Sequence, residues 1–487
     1  MKGVSVDSDI IQYRGIKYGS IPARWQDALI HPLDTSASYT EFGPIAPQLP
    51  GSINIELNLL QVPPSKVPFP TSLPANDEFD CLNLNIMAPT NAASKLPVLV
   101  WIHGGGFFIG SGSWPQRDAT KLVRRSIDMG KPTVVVTINY RLSALGMLAG
   151  GSGEFKGSYG LRDQQVALRW VQEYISVFGG DPARVTIMGE SAGAASVHSH
   201  ILHTDSPLFS RAVMMGGTLA MIGEHPASAQ AKVYEAIVAA VGGKDNLYTL
   251  SADELIAKIP PTLPWSPTPP EGVAPVTSST ARAAPPWLEA VVVGYCKYDG
   301  SIIQTAYAGR PDPATQFVDS VEKLLPASSA AAVLARYGLS RTTPKEEAIP
   351  KLIQFSSDTG FGLGAKQTLT GFGGKGYYYV FQQGNPFPGP LQSRASHIMD
   401  EMFLWGAMDP LLSDADVEFG KKWAASLLNF VSGAEPWSSV STGRMMNFGP
   451  EGKVEETGFP NDIKELEDIG FGSLWDVWRD FMEQDSR

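Results

Sequence analysis

The chain has 487 residues, a formal net charge of −11 and 43% apolar residues, enough apolar chain for a large buried core. Nucleic-acid binding needs a basic footprint, so the acidic balance sets that class aside and favours a neutral small molecule as partner. Met1 to Gly15 lacks a basic start followed by an apolar run, no stretch of ~18 apolar residues could span a membrane, and no Asn stands in an N-x-S/T sequon. Cys81 and Cys296 are the only cysteines, too few for a secreted disulfide framework, and a cytoplasmic protein is expected. Neither a charge run, nor a Gly/Ser tract, nor a repeat marks a linker, so residues 1–487 are read as a single domain.

In chain order, residues 46–78 come first as a Pro- and Ser-rich excursion around an apolar patch, Ile53 to Val62. Pro97 to Ile102 and Thr133 to Ile138 are short β-branched runs, apolar on both faces, as buried parallel strands require. Leu161 to Phe178 places Leu161, Leu168, Val171, Ile175 and Phe178 near helical spacing, with Arg162, Asp163, Gln172 and Glu173 off that face; Gly179 and Gly180 stop the helix. Val185 to Met188 is the next strand. A second Pro-rich excursion covers 259–287, and both excursions read either as pocket walls or lids or as plain surface loops. Ala290 to Gly294 and Tyr377 to Phe381 complete the strands, and Asp414 to Val431 is a helix with Ser413 as N-cap and Gly433 closing it. Alternation of strand and helix predicts an α/β fold with a mostly parallel sheet flanked by helices.

Gly189-Glu190-Ser191-Ala192-Gly193 is a G-x-S-x-G sequence between the strand at 185–189 and a helix-like stretch from Ala194. A serine there sits on a strained turn with its hydroxyl clear of the sheet, and glycines two residues either side let strand and helix pass without a Cβ clash. The helix start also aims N–H groups at developing negative charge. His103-Gly104-Gly105-Gly106-Phe107 ends the strand at 97–102. This HGGG type supplies oxyanion-hole N–H groups in lipases and esterases. The competing phosphate-loop reading lacks a following GK[ST] and a βαβ setting, and His103 is expected to brace the loop rather than serve as a base.

These motifs, with Phe79 to Ile86, Asn139-Tyr140-Arg141-Leu142, Ala144-Leu145-Gly146, Tyr159 to Gln164 and Phe178 to Pro182, closely resemble the type-B carboxylesterase/lipase family, the relatives of cholinesterases and fungal lipases. The resemblance is dense from about residue 79 to 217 and looser beyond. It implies the α/β-hydrolase fold, no cofactor or metal, and an oxyanion hole from the N–H groups of Gly105, Gly106 and Ala192. It also implies a triad in the chain order serine, acid, histidine: Ser191, then Asp299 in Val293 to Gly300, then His397 in Ser396 to Gly406. Asp299 is one methylene shorter than the family's glutamate, so its loop should lie closer to His397, or His397 should lean toward it; otherwise Asp299 only starts a turn with Gly300. Glu190 either tunes His397 or completes the turn. His198, His200 and His203 invite a metal reading, but only His200 and His203 share a helical face and no acid is spaced to join them. Three departures stand out. Ala46 replaces the cysteine that would bridge Cys81, so both thiols should be free. No tryptophan lies in 46–81, which weighs against a choline site. Gly216 replaces a serine that steadies the His–acid pair. The expectation is a carboxylic-ester hydrolase acting on a small-molecule ester, against acyl transfer by the same machinery or a non-catalytic binding protein. Trp114, Phe107, Phe108, Phe403 and Trp405 suggest an apolar pocket.

Overall fold

The computed structural model describes the chain except residues 70–72, 91–93, 205, 262, 374–375 and 485–487, and the side chains of 461 and 462. Its centre is a sheet of eleven strands. In chain order they are β1 (Val4–Asp7), β2 (Ile10–Lys17), β3 (Asn83–Pro89), β4 (Leu96–Ile102), β5 (Val134–Ile138), β6 (Gly180–Glu190), β7 (Arg211–Met215), β8 (Ala290–Cys296), β9 (Gly376–Phe381), β10 (Arg444–Phe448) and β11 (Val454–Gly458). The spatial order is β1-β2-β3-β5-β4-β6-β7-β8-β9-β10-β11. Pairing is parallel from β5 through β10 and antiparallel at both ends. This is the expected α/β-hydrolase architecture. The central strands β4, β5 and β8 are buried along their whole length, which is why their sequence runs apolar without alternation.

Helices cover both faces. The chain between β2 and β3 carries α1 (Ser52–Leu59), so the apolar patch in the first excursion is a helix that buries Ile53 and Leu57. Its remaining reach includes 70–72, outside the described residues. The predicted helix at 161–178 is α2 (Tyr159–Tyr174) followed by a 3₁₀ turn, Ile175–Phe178, closed by Gly179 at φ 84°. Asp163 was expected on the polar face but is fully buried, because Arg141 clamps it with Nε at 2.8 Å and Nη2 at 2.7 Å. That pair accounts for two of the recognised sequence blocks as framework. α3 (Ala192–His203) follows β6, α4 (Met399–Trp405) follows His397, and α5 (Asp414–Val431) has the predicted bounds, with the Ser413 hydroxyl accepting from the Asp416 N–H. Among the described residues of 260–287 there is neither helix nor strand; residue 262 lies outside them.

No helix among the described residues is long and apolar enough to cross a membrane. Phe403 and Trp405, expected near a pocket, pack inside the core instead: Trp405 stands edge-on to Trp101 at 5.1 Å and Phe403 edge-on to Phe419 at 5.3 Å. Helical geometry turns their side chains onto the sheet.

Cys81 and Cys296 are both buried and free, and burial pushes both thiols up. Alkylation under denaturing, reductant-free conditions should therefore label two cysteines, while the native protein should resist labelling. A mass two units below the reduced chain, without label, would show a disulfide.

Candidate active site

Gly189 and Gly193 let β6 and α3 cross directly. A Cβ on Gly193 would fall 2.1 Å from the Ile102 carbonyl oxygen, and one on Gly189 would fall 2.4 Å from the Gly193 backbone. Ser191 between them is held at φ 56° and ψ −120°, a strained conformation for an L residue. The turn is fixed by its ends: the Ser191 N–H donates to the Met215 carbonyl at 2.9 Å, and the Ala195 N–H to the Ser191 carbonyl at 3.0 Å. Ala192 opens α3, so its N–H has no intrahelical acceptor.

The glycine loop lies against this turn. A Cβ on Gly104 would meet the Glu190 carbonyl at 2.7 Å and the Ser191 Cβ at 3.1 Å. Gly105 and Gly106 have φ of 95° and 60°. His103 is buried, stacks on Tyr140 with ring centres 4.3 Å apart, and contacts the Gly104 carbonyl through Nδ1 at 2.9 Å. The Tyr140 hydroxyl donates to the His103 carbonyl at 2.7 Å. Burial pushes the His103 imidazole down to about 3, so it is neutral and braces the loop.

Asp299 opens a 3₁₀ turn, Asp299–Ile303, directly after β8. It starts a turn with Gly300, and it also meets the histidine. His397 Nδ1 lies 2.7 Å from Asp299 Oδ1, while Asp299 Oδ2 accepts the Cys296 N–H at 2.8 Å. The Tyr298 N–H donates to the Ala395 carbonyl at 2.8 Å, and the His397 N–H to the Ser301 hydroxyl at 3.1 Å. A π-helical stretch, Ser357–Leu363, supports both partners: the Ser357 hydroxyl accepts the Gly300 N–H at 2.9 Å, and Phe361 stands edge-on to His397 at 5.8 Å. Nothing in the sequence pattern signals that stretch.

Glu190 faces the other side of the imidazole, with Oε1 3.1 Å from His397 Nε2 in a close contact that lacks straight hydrogen-bond alignment. Burial, then the carboxylates of Glu401, Asp400, Asp299 and Glu56, hold Glu190 well above the usual carboxylate range. Burial and Asp299 push Asp400 up to about 6. Burial pushes Glu401 up to about 7 against the pull of Arg117. Gly216, at φ 57°, borders this cluster: a Cβ there would lie 3.2 Å from Glu190 Oε1 and 3.4 Å from the Asp299 carboxylate.

The three histidines of α3 go separate ways. The Leu219 N–H donates to His198 Nδ1 at 3.2 Å, His200 Nε2 pairs with Gln164 Oε1 at 2.8 Å, and His203 Nε2 pairs with Glu224 Oε1 at 2.8 Å. An acid does join His203, contrary to expectation, because it comes from another segment rather than from the helix. Among the described residues no group of three His, Cys, Asp or Glu side chains is arranged to hold a metal ion.

Comparison with known proteins bears on the fold and the family. Lipase 1 of Yarrowia lipolytica is 38% identical over 266 residues, which cover 52% of this chain and 51% of that protein. The para-nitrobenzyl esterase of Bacillus subtilis is 34% identical over 264 residues, 53% and 50% of the two chains. The match thus spans about half the length of these curated relatives. A solved structure of a PNB esterase superposes with a TM-score of 0.75 at 22% identity, over 96% of this chain and 97% of that one, a likeness of fold. The carboxylesterase family profile matches residues 2–453, most of the sequence, and the chain therefore belongs to the carboxylesterase family.

Proposed function

We propose that the protein hydrolyses carboxylic esters of small molecules through an acyl-enzyme, with Ser191 as nucleophile, His397 as general base and Asp299 as the acid that orients it. The observation that carries this reading is the 2.7 Å contact between His397 Nδ1 and Asp299 Oδ1, formed beside a serine on a strained strand-to-helix turn. With Nδ1 donating to Asp299, Nε2, which has Glu190 Oε1 at 3.1 Å beside it, is the nitrogen that takes the Ser191 Oγ proton. Oγ then bonds to the ester carbonyl carbon, and the N–H groups of Gly105, Gly106 and Ala192 receive the oxyanion. His397 returns its proton to the leaving alcohol, and water repeats the attack on the acyl-enzyme.

Glu190 fits as a neutral neighbour. A second full negative charge at Nε2 would hold the imidazole protonated and slow proton uptake from Ser191. A carboxyl group that keeps its proton avoids that, while its shape fills the space beside Gly104 and Gly216.

Ser191→Ala should lose turnover of a nitrophenyl ester by roughly 10⁶, the loss seen when a serine protease loses its nucleophile. A folded variant keeping more than a few per cent of activity refutes the mechanism. Asp299→Asn should keep the fold and cut turnover by about 10⁴, as for the protease aspartate. Asp299→Glu should not match the native chain, because an extra methylene overpacks a fully buried site. Near-normal turnover in Asp299→Asn would move the role to another acid. Glu190→Gln should lose less than the ~10² expected on removing a group that itself transfers a proton. A larger loss would place Glu190 in the proton path.

A further inference from the structure

Within the excursion between β2 and β3, the 48–60 segment is tied to the rest of the protein at three places. The Gln48 side-chain amide bonds Gly110 in both directions, donating to its carbonyl at 2.9 Å and accepting its N–H at 3.0 Å. Gly110 in turn abuts the glycine loop: a Cβ there would fall 2.3 Å from His103 Nδ1. The Leu60 carbonyl accepts from Asn385 Nδ2 at 3.1 Å, in the chain leading to His397. Between these ties, on α1, Glu56 points inward and is 6% exposed. Its Oε2 meets Arg117 Nη2 at 2.8 Å, and its Oε1 accepts from Gln116 Nε2 at 3.2 Å.

Arg117 is itself 2% exposed. The same guanidinium places Nε 2.6 Å from Glu401 Oε1, and Nη2 3.4 Å from Glu401 Oε2. Glu401 lies in the first turn of α4, directly after His397 and Ile398. One buried cation therefore holds α1 and α4 together, and its burial makes the arrangement stiff. Lifting α1 would strand a desolvated guanidinium with one of its two carboxylates gone, and breaking a buried pair from one side is far costlier than losing a surface contact.

We propose that Arg117 is a positioning residue: by holding Glu56 and Glu401 at once, it makes the 48–60 segment a fixed strap between the glycine loop and the histidine helix, not a lid that opens. The inference rests on the ester-hydrolase reading for its substrate consequence. A strap that does not open gains nothing from an oil–water interface, so the substrates are dissolved, monomeric esters.

The test combines amide hydrogen exchange with kinetics. With native protein, the rate on a nitrophenyl butyrate should level off without a jump as the ester passes its solubility limit. Glu56→Gln should speed exchange of the α1 amides by ~10-fold or more while α4 stays protected, since Arg117 keeps Glu401. Arg117→Met should speed exchange in both helices and lower kcat by roughly 10-fold with KM shifted much less, because it acts through the His397 segment. Arg117→Lys, a single point of charge, should recover only part of this. If Arg117→Met does not fold, Glu56→Gln and Arg117→Lys decide the matter. Unchanged α1 exchange in Glu56→Gln overturns the clamp. A raised KM at unchanged kcat in the Arg117 variants overturns its action through His397. A rate jump at the solubility limit in native protein overturns the fixed strap. Absence of all ester hydrolysis would sink the ester reading instead, and the exchange measurements would still judge the clamp.

Discussion

Ser191 can be where it is only because β6 and α3 cross with no side chain between them. A serine at φ 56° and ψ −120° carries strain on the order of 1–3 kcal/mol, which persists only where the surroundings over-determine it. Here the restraint is the sheet. β6 pairs in parallel with β4 on one side and β7 on the other, and the register runs to Gly189 and Glu190 at its very end. The strand delivers the chain to the turn, the Met215 carbonyl on β7 catches the Ser191 N–H, and Gly193 brings α3 against the end of β4. Because β4 itself ends in the glycine loop, the crossing that strains the serine also seats Gly104 beside it. Nucleophile and glycine loop are consequences of one packing contact.

The second constraint is charge. Around His397 the fold buries Asp299, Glu190, Asp400, Glu401 and Glu56, and supplies a single buried guanidinium among them, Arg117. Five ionised carboxylates could not share so little water, so the cluster sorts itself. Asp299 has the His397 ring and the Cys296 N–H. Asp400 accepts the Tyr379 hydroxyl at 2.6 Å and the Glu401 N–H at 2.9 Å, yet burial still pushes it up to about 6. Glu190 is held well above the usual carboxylate range by burial and by the carboxylates around it. This division leaves Asp299 on the His397 ring, as the proposed mechanism needs, with the other acids packed around it.

What the sequence disclosed follows the range of the interactions. The strands at 97–102, 133–138, 290–294 and 377–381 were legible because they are buried on both faces, and a short continuous run of β-branched or aromatic residues has few other uses. Strands β1, β2, β10 and β11 lie toward the sheet edges, where mixed polarity hides them. Ser191 and the glycine loop were legible because their geometry is local, built from residues adjacent in the chain. Arg117 was not: its partners lie 61 and 284 residues away, and a lone arginine in Gln116-Arg117-Asp118 looks like any surface residue. Asp163 misled for the same reason, since helical spacing assigns a face but cannot foresee the arginine that makes burial of a charge affordable. Glu224 reached His203 from outside the helix on which an acidic partner had been sought.

Asp299 and Gly216, the departures nearest the triad, belong to the same packing problem. The Tyr298 N–H bond to the Ala395 carbonyl and the His397 N–H bond to the Ser301 hydroxyl hold the Asp299 turn against the His397 segment. A side chain at 216 would begin 3.4 Å from Asp299 and 3.2 Å from Glu190, on a backbone at φ 57° that disfavours any side chain. Glycine leaves that space to the two acids. Asp299 is fixed by the Cys296 N–H on β8 and by the turn it starts.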